Sequence, residues 1–126
     1  MEKAKSLNMP AVAMTDAHQL FGAVDFYLEA KKKGINPILG CEINYVPLGK
    51  ASLSPQSGAG QPVAAGPRAF QIVLLAKSLK GYQNLCQMIS QSYYLALSTA
   101  GQKAVMGVPA VWVDRELLFQ YAQDLI

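Results

Sequence analysis

Two short apolar runs, each followed by an acidic residue, constrain the fold of this chain more than any other feature of its sequence. Residues 11–14 lead into Asp16, and residues 37–39 lead into Glu42. Short apolar runs of this kind are typical of buried parallel strands. Because the carboxyl ends of parallel strands meet at one edge of an α/β sheet, we expect both acids at that edge, where ligands and metals bind. The chain's one histidine, His18, lies between them.

The segment between the two runs has the pattern of an amphipathic helix. Lys31, Lys32 and Lys33 follow in the predicted last turn, where positive charge suits the negative end of the helix dipole, and Gly34 is predicted as the left-handed cap. We interpret the lysines as a solvated helix end, with weak phosphate contacts as the alternative. The apolar positions recur at helical spacing, at Leu20, Ala23, Val24 and Tyr27.

Strands and helices continue to alternate in the second half of the chain. Residues 70–76 are predicted as a strand, and Ser78 as the N-cap of the helix that follows. Asp114 is predicted to cap a helix over residues 115–123, and residues 124–126 have the pattern of another strand. The order predicts an α/β fold with parallel strands. The apolar stripe of the long helix is predicted as Tyr82, Leu85, Cys86, Ile89, Tyr93 and Ala96.

The composition is that of one folded domain over residues 1–126. A hydrophobic fraction of 52% is enough to bury a core. Residues 49–67 are mostly Gly, Pro, Ser or Ala and have little to bury, and a second irregular segment follows the long helix. We predict mobile loops over residues 48–68 and 98–110. No apolar run approaches the roughly 20 residues of a membrane span, and the N-terminus lacks the apolar core of a signal peptide. We therefore expect a cytoplasmic location.

Charge and cysteine content exclude several classes of site. The net charge of +3 is a weak signal for nucleic-acid binding. Cys41 and Cys86 form no CxxC pair, so neither a zinc ribbon nor a thioredoxin-like motif is present. We expect both cysteines to be reduced thiols.

Several blocks of this sequence resemble, in order and spacing, the PHP domain at the N-terminus of the bacterial replicative DNA polymerase III alpha subunit. The first three blocks cover the two acids and the helix between them, and the later blocks follow in the second half of the chain. The resemblance covers nearly the whole chain except residues 48–68 and 98–110. The matching blocks are residues 9–16, 20–27, 34–42, 70–77, 81–85, 89–90 and 114–118.

The resemblance implies a partial PHP-type (β/α)7 barrel with parallel strands, truncated at both ends. Active members carry a cluster of metal ions, often zinc, manganese or iron, which activates water against a phosphoester. The polymerase site of the parent, with its Mg²⁺, lies in other domains. The implied partners are the remainder of the alpha subunit, replisome subunits such as a proofreading exonuclease or the sliding clamp, and DNA through the parent protein.

The sequence departs from the active family pattern at two positions. Active members usually have a histidine directly after Thr-Asp, whereas Ala17 stands there and His18 follows one residue later. The family often has another histidine where this chain has Gln71, and glutamine does not replace imidazole as a strong transition-metal ligand. Glu42 and His18 remain as candidates for a residual zinc or manganese site. Asp16 is interpreted as supporting a metal ligand or as capping the following helix.

Structural roles without metal binding are also open for the same residues. His18 is also consistent with a polar loop residue, and Glu42 with a partly buried acid paired to a lysine or to backbone amides. The first functional hypothesis is a chiefly structural PHP fragment with a degenerate site and no activity of its own. The second is a metal-dependent phosphoesterase or 3′–5′ exonuclease of the PHP superfamily. The third is a pseudo-enzyme that acts as an interaction module.

Overall fold

In the part of the chain that the structure describes, helices pack on one face of a four-stranded sheet. The structure is a computed structural model, and it describes residues 1–47, 69–99 and 111–126. In these ranges, no helix is both long enough and apolar enough to cross a membrane. In chain order the elements are α1 (Glu2–Ser6), β1 (Ala11–Ala17), α2 (Ala23–Lys32), β2 (Asn36–Val46), β3 (Phe70–Leu75), α3 (Leu79–Thr99), β4 (Val113–Asp114) and α4 (Arg115–Tyr121).

The strand β2 is the centre of the sheet and pairs with each of the other three strands. β1 and β4 lie parallel to it, and β3 lies antiparallel. The predicted parallel β1–α2–β2 unit is therefore confirmed, but the prediction of parallel strands throughout is wrong for β3. Parallel neighbours need a long crossover connection, usually a helix. Residues 49–67, between β2 and β3, are rich in glycine and proline and do not favour such a helix.

β2 runs without interruption through Gly40, from Asn36 to Val46. Gly40 pairs with Thr15 of β1 on one side and with Leu75 of β3 on the other, so both neighbours hold this part of the strand extended. The close approach of β3 also explains why residue 40 is a glycine. A Cβ atom at this position would lie 2.5 Å from the carbonyl oxygen of Leu74.

The core lies between the helices and one face of β2. Cys41 and Ile43 of β2 are buried there against the helical layer. On α3 the buried stripe is Leu85, Met88, Ile89 and Ser92, which are spaced i, i+3, i+4 and i+7. The predicted stripe was right at Leu85 and Ile89. It was wrong at Tyr93, which is one position off the buried line and is 43% exposed.

The predicted caps lie at the ends of the helices α2, α3 and α4. The amide of Gly81 donates to the Ser78 hydroxyl (3.1 Å), and the amide of Leu117 donates to Asp114 Oδ1 (2.9 Å). A cap of the second kind typically contributes about 1 kcal/mol. Gly34 ends α2 with a φ of 73°. Lys33 forms an ion pair with Glu2 that joins α1 to α2, and another with Glu29 at the end of α2. The hydrogen bond from Lys33 holds the pKa of the Glu2 carboxyl below its usual value.

The C-terminal residues return to the sheet beside β3. Leu75 and Ile126 exchange two backbone hydrogen bonds of 2.8 and 2.9 Å, and Ala76 and Leu125 form an isolated antiparallel bridge. The strand predicted over residues 124–126 is therefore a single bridge. The described strands form a sheet that does not close into a barrel.

The two predicted loops fall almost wholly outside the described part of the chain. Residues 48–68 and 100–110 lie outside it, and residues 98–99 belong to the end of α3.

Substitution of Gly81 by alanine should destabilise the fold strongly. The new Cβ would lie 2.1 Å from the carbonyl oxygen of Asp124, which also accepts the Lys77 amide. The gain in helix propensity is at most about 1 kcal/mol, whereas overpacking against backbone costs about 3 kcal/mol, so a net loss is expected.

Urea unfolding measures this loss, and Gly22→Ala is the matched control. A Cβ at Gly22 comes no closer than 3.4 Å to Met14 Sδ, which is an ordinary contact. The free energy of unfolding should change by less than about 1 kcal/mol in the control. Equal stabilities of the two variants would show that the turn at Asp124 does not pack on α3 as described.

Candidate functional site

The candidate site lies on the face of β2 that is turned away from the buried Cys41 and Ile43. Side chains alternate along a strand, so Glu42 and Asn44 share this face. Gln71 of β3 is paired directly with Asn44, and it therefore projects from the same face. His18 follows the end of β1, and its side chain contacts Asn44. We call Glu42, Asn44, Gln71 and His18 the site cluster.

Glu42 is held by a carboxamide. The Nε2 group of Gln71 donates to Glu42 Oε1 over 3.2 Å, across the antiparallel pair β2–β3. The backbone carbonyl of Glu42 accepts the amide of His18 over 2.9 Å, so the same residue anchors the turn that follows β1. Both acids were predicted at the carboxyl edge of the sheet. Glu42 pairs with Ala17, the last residue of β1, but β2 itself continues beyond Glu42 to Val46.

His18 occupies an unusual backbone conformation that is coupled to its contacts. Its φ is +57°, in the left-handed region that non-glycine residues seldom adopt. Its ring Nε2 lies 2.7 Å from Nδ2 of Asn44. A carboxamide nitrogen is a donor, so Nε2 acts as the acceptor and the ring proton lies on Nδ1. In this geometry the Asn44 carboxamide occupies the Nε2 position of His18.

Asn44 is the residue of the site cluster that the sequence predictions missed. It is only 7% exposed, and its Nδ2 donates to the carbonyl of Val111 (3.2 Å) as well as contacting His18. Buried polar groups are normally satisfied in this way because an unpaired amide is costly. A signal was present, because Asn44 is a polar residue two positions after Glu42 in an otherwise apolar strand.

Asp16 lies on the other face of the sheet from Glu42. It pairs with Cys41, whereas Glu42 pairs with Ala17, so the two acids share an edge but not a face. Asp16 was also predicted as a possible helix cap, and that prediction was wrong. The N-cap of α2 is Gly22, which has no side-chain cap, because several residues separate the end of β1 from the helix.

Cys41 adds no ligand to the site cluster. Its side chain is fully buried in the core on the helical face, and burial raises the pKa of its thiol. Metals bind the thiolate, so a buried thiol with a raised pKa is a poor ligand. Its Sγ donates weakly to the carbonyl of Glu42 over 3.4 Å.

The site cluster does not fit the multi-metal centre that the family resemblance implies. In residues 1–47, 69–99 and 111–126, no three His, Cys, Asp or Glu side chains come together as a metal-binding group. The N–H groups of two carboxamides also point at the two candidate ligands, Glu42 and His18. An N–H donor carries partial positive charge and does not coordinate a cation. The arrangement supports hydrogen bonding between three chain segments.

This chain is similar over most of its length to alpha subunits of DNA polymerase III. DNA polymerase III subunit alpha of Chlamydia pneumoniae is 33% identical over 124 residues, which cover 98% of this chain and 9% of the relative. The same subunit of Borreliella burgdorferi is 42% identical over 93 residues, 74% of this chain and 8% of the relative. That of Thermus aquaticus is 37% identical over 117 residues, 93% of this chain and 8% of the relative. The chain thus spans about a tenth or less of these relatives.

A solved structure and a family profile complete the comparison. A protein of Bifidobacterium adolescentis, provisionally described as a metal-dependent phosphoesterase, aligns with a TM-score of 0.47 and 13% identity over 96% of this chain and 43% of that one. The profile of the PHP domain matches residues 1–126. The resemblance drawn from the sequence blocks is therefore confirmed, and this chain belongs to the PHP domain family.

Proposed function

We propose that this chain is part of the PHP domain of a replicative DNA polymerase III alpha subunit, with a degenerate metal site and a chiefly structural role. The relatives named above are all alpha subunits, and they match this chain over 74% to 98% of its length. The activity of such a parent would be template-directed DNA synthesis. Its partner at this domain would be the remainder of the same subunit, and through it the replisome and DNA.

One observation carries the proposal of a degenerate site: carboxamides engage both candidate ligands. Gln71 donates to the Glu42 carboxylate, and Asn44 donates to the His18 imidazole. For a metal to bind Glu42 Oε1 or His18 Nε2, these hydrogen bonds would have to break. Neutral amides offer transition metals only a weak oxygen ligand in exchange.

The same contacts support a structural role. Gln71 and Glu42 join β3 to β2, and Asn44 joins β2 to His18 and to Val111 beside β4. Each hydrogen bond contributes about 1 kcal/mol when its partners are well placed, and loss of one partner from a buried pair costs more. A site cluster of this kind stabilises the meeting point of three strands without any catalytic chemistry.

The purified chain should retain far less than one metal ion per molecule. After incubation with zinc or manganese and dialysis, elemental analysis measures the bound metal, and hydrolysis of bis-nitrophenyl phosphate measures activity. We expect neither in the original chain. We expect no change in Glu42→Ala, because no metal depends on that carboxylate.

The opposite result would support the second hypothesis, a metal-dependent phosphoesterase or 3′–5′ exonuclease. One stoichiometric metal ion, together with hydrolysis that is lost in Glu42→Ala, would contradict the degenerate site. Urea unfolding of the original chain and of Glu42→Ala is measured as well, so that loss of activity is not confused with loss of folding.

Replacement of Gln71 by histidine should create metal affinity at the site cluster. The substitution puts an imidazole in place of the carboxamide beside Glu42 and removes a donor that competes with the metal. The affinity for Zn²⁺ should rise by at least about tenfold, because imidazole and carboxylate are both ordinary zinc ligands. Calorimetric titration with ZnCl₂ measures the change.

Gln83→His is the matched control, since Gln83 is an exposed residue of α3 outside the site cluster. It adds the same imidazole to the surface and should leave the zinc affinity unchanged. An equal rise in both variants would show that the new affinity comes from any surface histidine and not from the neighbourhood of Glu42.

A further inference from the structure

An apolar groove runs between α2 and α3, on the opposite face of the sheet from the site cluster. Its volume is about 370 Å³, which is within the range of ligand-binding pockets. We call it the α2–α3 groove. Among the described residues that line it are Val24, Tyr27, Leu28, Leu39, Leu79 and Tyr82.

The walls of the α2–α3 groove are unusually exposed for apolar side chains. Val24 is 61% exposed, Leu28 is 60% exposed and Leu79 is 73% exposed. Single exposed apolar residues are common on protein surfaces, but a group of them around one concave site marks an interaction surface. The volume suits a small number of large apolar side chains inserted from a partner.

Two lysines and one aspartate lie at the α2–α3 groove, so its net charge is positive. Lys77 lines it, and Lys31 Nζ lies 5.6 Å from the ring centre of Tyr27, which also lines it. The carboxylate of Asp124 accepts a hydrogen bond from Ser78, which also lines the groove, whereas neither acid of α2 is among the described lining residues. A second copy of this chain would bring the same basic rim against this one, so charge complementarity favours an acidic partner.

We propose that the α2–α3 groove docks an amphipathic helix of a partner protein. The apolar face of that helix fills the groove, and its acidic side chains lie against Lys31 and Lys77, in the helix-in-groove mode of recognition. This proposal does not depend on the state of the site cluster, and its failure leaves the proposed function untouched.

Peptide titration tests the docking proposal. The probe is a fluorescein-labelled helical peptide of about 18 residues, roughly 27 Å long, with leucine at i, i+3, i+4 and i+7 and glutamate at the exposed positions. A second peptide has lysine in place of every glutamate. Fluorescence anisotropy with the full chain measures both affinities, and we expect the acidic peptide to bind at least about tenfold tighter.

Four variants locate the bound peptide on the surface. Leu28→Asp should weaken binding by about tenfold, because it removes an apolar contact and adds repulsion. Lys77→Glu should weaken it by at least about threefold, most strongly at low salt. The controls Phe119→Asp and Lys5→Glu make the same chemical changes at exposed residues outside the described lining of the groove, and binding should stay within about twofold.

Three results would overturn the proposal. The first is no binding of the acidic peptide up to about 1 mM. The second is equal weakening by a groove variant and its control. The third is a concentration-dependent dimer of the chain that Leu28→Asp abolishes in sedimentation, since the groove would then be an interface between copies. Circular dichroism of each variant establishes that it is folded.

Discussion

The rest of the structure depends on the pairing of β2. This strand has paired strands on both edges, and its two faces contribute side chains to two different parts of the structure. One face carries Cys41 and Ile43 into the core beneath the helices. The other carries Glu42 and Asn44 into the site cluster. A slip of one residue would exchange the two faces, and would bury a carboxylate in the core. The close contact at Gly40, where β3 leaves no room for a Cβ, opposes such a slip.

The sequence predicted the local structure well because local structure depends on spacing and caps. The parallel β1–α2–β2 unit and the cap at Asp114 both follow from residues that are neighbours in the chain. The antiparallel direction of β3 could not be predicted, because the segment between β2 and β3 has no hydrophobic periodicity. The face occupied by Asp16 also did not follow, because it requires the register with Cys41.

Under the proposed function, residues that match metal-ligand positions of active family members serve here as hydrogen-bonding partners. The sequence showed which ligands of the family pattern are missing, but not what the remaining ligands do instead. Their hydrogen-bond partners depend on distances in the folded chain. Asn44 contacts His18 because the chain takes a left-handed turn after β1. On the far side of the sheet, the α2–α3 groove offers a surface of different chemistry. Taken together, the two proposals describe a domain that has lost its metal site and still serves as a point of attachment.

The state of the His18 ring tests the central claim most directly. The chain contains one histidine, so a long-range ¹H–¹⁵N spectrum of its imidazole is free of overlap. With Asn44 donating to Nε2, the account predicts a neutral ring protonated at Nδ1, unchanged on addition of one equivalent of Zn²⁺. A ring protonated at Nε2, or a ring nitrogen whose shift moves in step with stoichiometric zinc, would contradict it.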